Sequence, residues 1–224
     1  MSNKHNPLEQ ASFDDADDVG PKLACILLLD TSGSMSVDNR IGLLNQGLVE
    51  FQQQLESDDL AKYRVDVAVV TFGGTVDVVQ DFIPAADFEA AELTTDGATP
   101  MGTAINKALD MITERKDHYR MNGNPVFRPW IFMITDGGPT DDVQSASARI
   151  KKAEADKGVV FFAVGVESAD FNALEQLSTR KPWHLKGLNF RELFVWLSSS
   201  LSASSSGQPG APKQLERPSD DLMV

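Results

Sequence analysis

The stretch that decides the fold of this chain is Leu23–Met35, which reads LACILLLDTSGSM. Its first part, Leu23–Leu29, is entirely apolar, and it stops abruptly at a polar segment. An apolar run of this length, bounded by turn residues, predicts a β-strand that is buried on both faces and reaches solvent only at its end. We expect Asp30 at that end. Ser32 and Ser34 follow in a loop that the glycine between them allows to fold tightly.

Oxygen donors are therefore predicted to converge where an open α/β sheet binds its ligand, outside the carboxyl ends of its strands. The carboxylate of Asp30 and the two serine hydroxyls are hard oxygen ligands of the kind that magnesium prefers. A second apolar strand, Pro129–Thr135, also ends in an aspartate, Asp136, and Thr99 lies in a third loop. A turn at the end of a strand, with no ligand, would by itself account for Asp30 and Ser32. It does not account for the matching polar residues, Thr99 and Asp136, in two further loops.

Strands and amphipathic helices alternate along the rest of the chain. The predicted strands are 22–29, 64–72, 75–82, 129–135, 159–166 and 185–188, and the predicted helices begin near residues 41, 100, 140, 171 and 189. This alternation predicts an α/β fold with a mostly parallel sheet and helices on both faces. The segment Thr75–Phe82 is more polar and follows the turn signal Gly73-Gly74, so it is expected to be an antiparallel edge strand. The polar stretch 114–128 is expected to be a loop.

Thr99 has two alternative roles. Pro100 suits the first position of a helix, and a threonine before it suits the N-cap. The threonine side chain has one oxygen, so capping competes with metal ligation. Thr140 is likewise expected to cap the next helix, where Asp141 and Asp142 would favour the positive N-terminal end.

Composition limits the classes of partner. The 224 residues carry a formal net charge of −13, with a pI of about 4.6. Nucleic acid and anionic membranes are therefore poor candidate partners. The single cysteine, Cys25, can form no intrachain disulfide, which suits a reducing compartment. No apolar signal region or spanning segment is evident, so the sequence predicts a soluble, cytoplasmic protein.

Three regions are expected along the chain: an acidic leader at residues 1–20, one domain at 21–202 and a disordered Ser/Gly/Pro-rich tail at 203–224. The leader carries four clustered aspartates, Asp14, Asp15, Asp17 and Asp18. One reading is a solvated, mobile segment. The other is an internal competitor whose carboxylate visits the metal loops.

The three loops resemble the metal-ion-dependent adhesion site of von Willebrand factor A domains: Asp-x-Ser-x-Ser at Asp30–Ser34, a loop threonine at Thr99 and Thr-Asp-Gly at Thr135–Gly137. The resemblance covers about residues 20–202. It implies a doubly wound, Rossmann-like fold with a six-stranded sheet.

The resemblance also implies a role for each site residue. Ser32 and Ser34 would bind Mg²⁺ directly, and Thr99 directly or through water. Asp30 and Asp136 would hold waters and orient the serines. Mn²⁺ or Ca²⁺ could replace Mg²⁺. Because neutral direct ligands leave most of the ionic charge uncompensated, the ion would seek a Glu or Asp carboxylate from another protein.

The segments Tyr119–Gly137 and Leu188–Ser198 are similar to the TerY-like branch of the family, from bacterial tellurium-resistance clusters. That similarity implies a stress-response or phage-defence system in which a kinase and a protein phosphatase are candidate partners. Some members carry a cysteine-rich zinc module, which one cysteine cannot build.

The main alternative is a metal-dependent hydrolase or phosphotransferase that uses the same ion. Haloacid-dehalogenase phosphatases also place an aspartate after an apolar strand, but they need a second acidic residue two positions later, where this chain has Ser32. No histidine lies in the three loops to act as a general base, and no Gly-rich phosphate loop with lysine is present. The sequence therefore favours a non-enzymatic protein-binding module.

Overall fold

A six-stranded sheet forms the centre of the protein in the computed structural model, which describes residues 20–210 and 217–223. The strands are β1 (Leu23–Asp30), β2 (Val65–Gly73), β3 (Thr75–Pro84), β4 (Trp130–Thr135), β5 (Val160–Val166) and β6 (Trp183–Leu185). Their order in the sheet is β3-β2-β1-β4-β5-β6. Strand β3 is antiparallel to β2, and all other neighbours are parallel. The predicted mixed sheet with an antiparallel edge strand is confirmed.

Helices cover both faces of the sheet. They are α1 (Arg40–Glu56), α2 (Ala61–Arg64), α3 (Met101–Met121), α4 (Gln144–Ala155), α5 (Phe171–Leu177) and α6 (Phe190–Ser205). Helices α1 and α6 pack on one face, and α3, α4 and α5 pack on the other. Among the described residues, no helix is long and apolar enough to cross a bilayer.

The apolar run of β1 supplies both cores at once. All eight residues of the strand are buried. Because successive side chains of a strand point to opposite faces, Cys25 and Leu27 join the core under α1 and α6, whereas Ile26 and Leu28 join the core under α3 and α4. Strand β1 is therefore fixed from both sides, and its end holds Asp30 in a defined position.

Helix α3 is longer than the sequence predicts, because residues 114–121 continue it instead of forming a loop. Its polar last turns are held by a buried carboxylate. The Tyr119 hydroxyl donates to Asp66 Oδ2 at 2.6 Å, and the Arg115 guanidinium pairs with the same oxygen. These tertiary contacts to β2 override the polar local sequence.

The C-terminal boundary also differs from the expected one. Helix α6 continues to Ser205, three residues past residue 202. Farther on, Met223 bridges to Leu185 at the β6 edge, and Leu222 is 7% exposed. The described part of the expected tail thus contributes to the core. Residues 1–19, 211–216 and 224 lie outside the described residues, so the leader prediction does too, apart from Gly20.

The starts of α3 and α4 use caps other than the threonines. Neither Thr99 nor Thr140 caps a helix with its side chain. The Asp141 carboxylate accepts instead from the amides of Gly102 and Thr103, each at 2.8 Å, and from the Thr103 hydroxyl. The Thr99 hydroxyl is therefore left free of the capping role.

We expect Asp141→Ala to lower the free energy of unfolding by about 1–2 kcal/mol, because two amides at the start of α3 lose their acceptor. Thr103→Val, which removes one contact to the same carboxylate, should cost less. Chemical denaturation of both variants measures the difference. Equal stability of Asp141→Ala and the unmodified protein would contradict this account of the cap.

Candidate metal centre

Three loops meet at the carboxyl ends of the central strands and are held together by backbone hydrogen bonds. The loop after β1 bonds through the Gly33 amide to the Gly97 carbonyl at 3.0 Å, and through the Thr31 carbonyl to the Asp96 amide at 2.8 Å. The Thr140 amide bonds to the Thr99 carbonyl at 3.0 Å. The loops that the sequence singled out are thus joined into one surface.

The close approach of these loops explains why residue 73 is a glycine, which the sequence alone indicated only as part of a turn signal. A Cβ on Gly73 would lie 2.4 Å from the Thr31 carbonyl oxygen, a distance that backbone atoms cannot tolerate. Glycine at the end of β2 therefore allows the loop after β1 to pack against it.

The hydroxyls of the predicted site lie close together. Ser32 Oγ and Ser34 Oγ are 3.1 Å apart. Ser34 Oγ and Thr99 Oγ1 each lie 4.0 Å from the point where a Cβ on Gly137 would stand. Ser32 and Thr99 are buried, whereas Ser34 is exposed to solvent. The hydroxyls therefore line a small space that is open on one side.

Asp30 lies behind these hydroxyls with both carboxylate oxygens occupied. Its Oδ1 accepts from the Ser32 amide at 2.8 Å, and its Oδ2 accepts from the Thr135 hydroxyl at 2.5 Å. Burial raises the pKa of Asp30, while hydrogen bonds from Ser32 and Thr135 lower it and the charge of Asp136 raises it further. The net shift is upward from 3.8, so a buried negative charge here is unfavourable in the metal-free protein.

Both carboxylate oxygens of Asp136 also accept hydrogen bonds. Its Oδ1 accepts from Ser34 Oγ at 2.6 Å, and its Oδ2 pairs with Arg40 Nη1 at 2.5 Å. Both side chains of the ion pair are buried, with 9% of Arg40 and 0% of Asp136 exposed. The five predicted residues, Asp30, Ser32, Ser34, Thr99 and Asp136, thus lie around one space.

Sequence reasoning missed three contributors. Arg40 lies at the first position of α1, 96 residues from Asp136, and nothing local predicts their contact. Thr135 precedes Asp136 in the quoted motif, and its hydroxyl orients Asp30. Gly137 leaves the space between the hydroxyls empty, which a glycine after the strand-end aspartate could have suggested.

These residues fit a magnesium ion. Adjacent ligands of an octahedral ion, each about 2.0–2.1 Å from it, lie about 3 Å apart, which matches the 3.1 Å between the serine oxygens. Among the described residues, no group of three or more His, Cys, Asp or Glu is arranged to hold a metal. A site here would therefore depend on hydroxyls, with the two carboxylates supporting them.

Replacing Asp30 separates its electrostatic effect from its structural one. We expect Asp30→Asn to bind Mg²⁺ about 10–100-fold more weakly, because an outer-shell partner and one negative charge are lost. The metal-free variant should be at least as stable as the unmodified protein at pH 7. The raised pKa means that the Asp30 contribution to stability is present below pH 3.8 and is lost as the pH rises through the folded-state pKa.

Titration calorimetry and thermal unfolding with chelator test the two expectations separately. A metal-free Asp30→Asn variant that is clearly less stable at pH 7 would contradict the electrostatic account of this buried carboxylate.

The sequence matches the model of the von Willebrand factor type A domain over residues 25–192. The matched region includes all five predicted site residues. This chain belongs to the von Willebrand factor A domain family. Domains of this family are generally protein-interaction modules without catalytic activity.

Individual relatives are distant. The uncharacterized protein YfbK of Escherichia coli K12 is 27% identical over 160 residues, which are 68% of this chain and 25% of YfbK. A von Willebrand factor type A structure from Catenulispora acidiphila matches with a TM-score of 0.61 at 16% identity, covering 81% of this chain and 43% of that one. The pilus adhesin SpaC from Lactobacillus rhamnosus GG, in its open conformation, gives 0.65 at 14% identity, covering 81% and 30%.

The similarity to the solved structures concerns the fold alone. The chain spans about a quarter of the length of YfbK and less than half of either solved structure. In this von Willebrand factor A domain, the strand order places the motif loops at one edge of the sheet.

Proposed function

We propose that this von Willebrand factor A domain binds another protein through a divalent ion, most favourably Mg²⁺, held by Ser32, Ser34 and Thr99. The observation that carries the proposal is that the Ser32 and Ser34 hydroxyl oxygens lie 3.1 Å apart in front of two carboxylates, Asp30 and Asp136, whose oxygens neighbouring groups hold in place. These bonds fix the two carboxylates behind the hydroxyls, where they can hold waters and orient the serines. Ser34 Oγ donates its hydrogen to Asp136, and a hydroxyl oxygen keeps lone pairs that can bind an ion.

The charge balance favours an anionic partner group. Among the buried groups, the two aspartates and Arg40 together leave one net negative charge beside the space. A divalent cation exceeds that charge, and neutral hydroxyl ligands do not reduce it further. When bound, the ion supplies a Lewis-acidic position that a carboxylate can complete. We therefore infer that the partner supplies a Glu or Asp side chain.

The protein's own residues prepare that position. Asp30 and Asp136 orient the two serines of the loop after β1, and Arg40 holds Asp136 in place. Ser34 is the exposed member, so a partner would approach from its side.

The charge of the loops around the site restricts which partner surfaces can bind there. Asp38, Asp96, Asp142 and Asp170 are exposed on the loops around the hydroxyls. Val37 is 49% exposed beside them. A partner whose surface is neutral or basic around one protruding carboxylate fits this rim, since a broadly acidic surface would be repelled.

The biological setting is part of the same proposal. The similarity of Tyr119–Gly137 and Leu188–Ser198 to the TerY-like branch supports a role in bacterial tellurium resistance, stress response or phage defence. A kinase or a protein phosphatase is the candidate partner. A cytoplasmic location agrees with the free, buried thiol of Cys25.

Affinity capture from a native lysate tests the proposal. The full chain should retain a partner in millimolar Mg²⁺ and release it with chelator, and Ser32→Ala/Ser34→Ala should not retain it. Ser36→Ala is the matched control, because within the described part of the chain its hydroxyl bonds to the Gly33 carbonyl of the same loop and to none of the site residues. Equal retention with and without chelator would overturn the proposal.

A further inference from the structure

A groove at the opposite edge of the sheet from the metal loops has the opposite charge to the rest of the protein. It lies beside the start of β1 and has a volume of about 850 Å³. Five cations line it, Lys116, Arg120, Arg128, Lys157 and Arg180, against one acid, Asp156. These five are a quarter of the 20 Lys and Arg residues in a chain whose net charge is −13. We call it the basal groove.

Three of these cations form no ion pair with a carboxylate among the described residues. Arg128 donates to the backbone carbonyls of Val159 and Glu154, at 2.7 and 3.1 Å. Lys116 Nζ lies 3.4 Å from the Gly158 carbonyl. Lys157 makes no ion pair in the part of the chain that the structure describes. The remaining two, Arg120 and Arg180, pair with carboxylates.

The cations also repel one another. Burial lowers the pKa of Lys116, and the charge of Arg120 lowers it further. Burial likewise lowers the pKa of Arg128, and Arg180 adds to that effect. An anionic occupant would relieve both repulsions.

The floor of the groove is apolar. Phe127, Trp130 and Val160 line it, and each is at most 6% exposed. An occupant that combines carboxylates with an apolar side chain would therefore match both the floor and the cationic sides.

The acidic leader of this chain has that composition and enters the domain beside the groove. The Gly20 carbonyl accepts from Asn124 Nδ2 at 3.0 Å, and the Phe127 amide donates to the Lys22 carbonyl at 2.9 Å. The preceding residues include Phe13 and four aspartates. We propose that the basal groove binds this leader, with Asp14, Asp15, Asp17 and Asp18 facing Lys116, Arg128 and Lys157.

Chain length favours the groove over the metal loops. Asp14 is six residues from Gly20, so it reaches about 20 Å at most. The seven steps from Leu23 to Asp30 along β1 alone span about 23 Å between the two edges of the sheet, and Gly20 precedes Leu23 by three more residues. The four aspartates therefore reach the groove and fall short of the hydroxyls. A short tether also gives an effective concentration near the millimolar range, so weak ion pairs suffice.

A nitroxide on Ser12→Cys of the full chain tests the proposal, since Cys25 is buried and does not compete for the label. At low salt, the amide signals of Gly158 and Arg180 should lose at least half their intensity, and they should recover in 0.5 M NaCl. Lys116→Gln/Lys157→Gln should also restore them. Lys151→Gln/Lys152→Gln, which changes two exposed lysines outside the groove, should not.

Three results would overturn the proposal. Full intensity at Gly158 and Arg180 would show that the leader does not occupy the groove. Broadening at Ser34 and Gly137 instead would place it at the metal loops. Broadening of an isotope-labelled, spin-free chain by a separate spin-labelled chain would show that a second copy supplies the occupant.

Discussion

Replacing Ser32 and Ser34 together with alanine is expected to weaken Mg²⁺ binding at least about 100-fold. Outer-shell changes alone cost about 10–100-fold in metal affinity, and this variant removes two direct ligands of the proposed site. The Ser32–Ser34 contact disappears with both of its partners, but buried Asp136 Oδ1 also loses its donor, so the metal-free free energy of unfolding should fall by about 1–3 kcal/mol. Titration calorimetry with Mg²⁺ and Mn²⁺ measures the affinity.

Ser36→Ala controls for a general effect on the loop after β1, and it should bind the ion like the unmodified protein. If Ser32→Ala/Ser34→Ala binds as tightly as Ser36→Ala, the serine hydroxyls are not the ligands. The site would then have to be sought elsewhere.

Removing the Asp136 carboxylate should give the largest loss of stability among the site variants. Arg40 is buried, and its Nε already has no partner among the described residues, so Asp136→Ala would leave a buried guanidinium without its counter-charge. Breaking a buried pair in this way costs about 3–5 kcal/mol. Denaturant unfolding of the metal-free protein should show a loss of this size, and ion binding should be lost as well.

The double variant Arg40→Met/Asp136→Ala separates stability from ion binding. Because it removes both charges, we expect it to recover most of the lost stability while ion binding stays absent. Recovery of both properties would show that Asp136 acts only through the fold. No recovery of stability would show that the unpaired charge of Arg40 is not the cause of the loss.

The sheet and the site aspartates were predictable because a buried parallel strand has a strong sequence signal. Leu23–Leu29 and Pro129–Thr135 are uniformly apolar, and the residue that ends such a run must lie at the carboxyl edge of the sheet. Parallel pairing of β1 and β4 then brings Asp30 and Asp136 to the same edge. The site residues were therefore located by topology as much as by motif.

What the sequence did not reveal depends on contacts between distant residues. The last turns of α3 are polar and resemble a loop, but the bond from Tyr119 to Asp66 crosses 53 residues. The pairing of Arg40 with Asp136 is equally remote, and the capping of α3 by Asp141 crosses about forty residues. No periodic pattern in the sequence around Leu222 predicts its burial in the core. Local propensity carries no information about such partners.

The rate at which a captured partner dissociates tests the central claim most directly, since the claim is that an ion on Ser32, Ser34 and Thr99 joins the two proteins. Surface plasmon resonance should be run in millimolar Mg²⁺ and again with chelator. Losing a charge-paired contact of this kind costs about 2–5 kcal/mol. Chelator should therefore raise the dissociation rate by a factor of roughly 30 to several thousand. Ser32→Ala/Ser34→Ala should dissociate as fast in Mg²⁺ as the unmodified protein does in chelator. An unchanged dissociation rate in both cases would contradict the account.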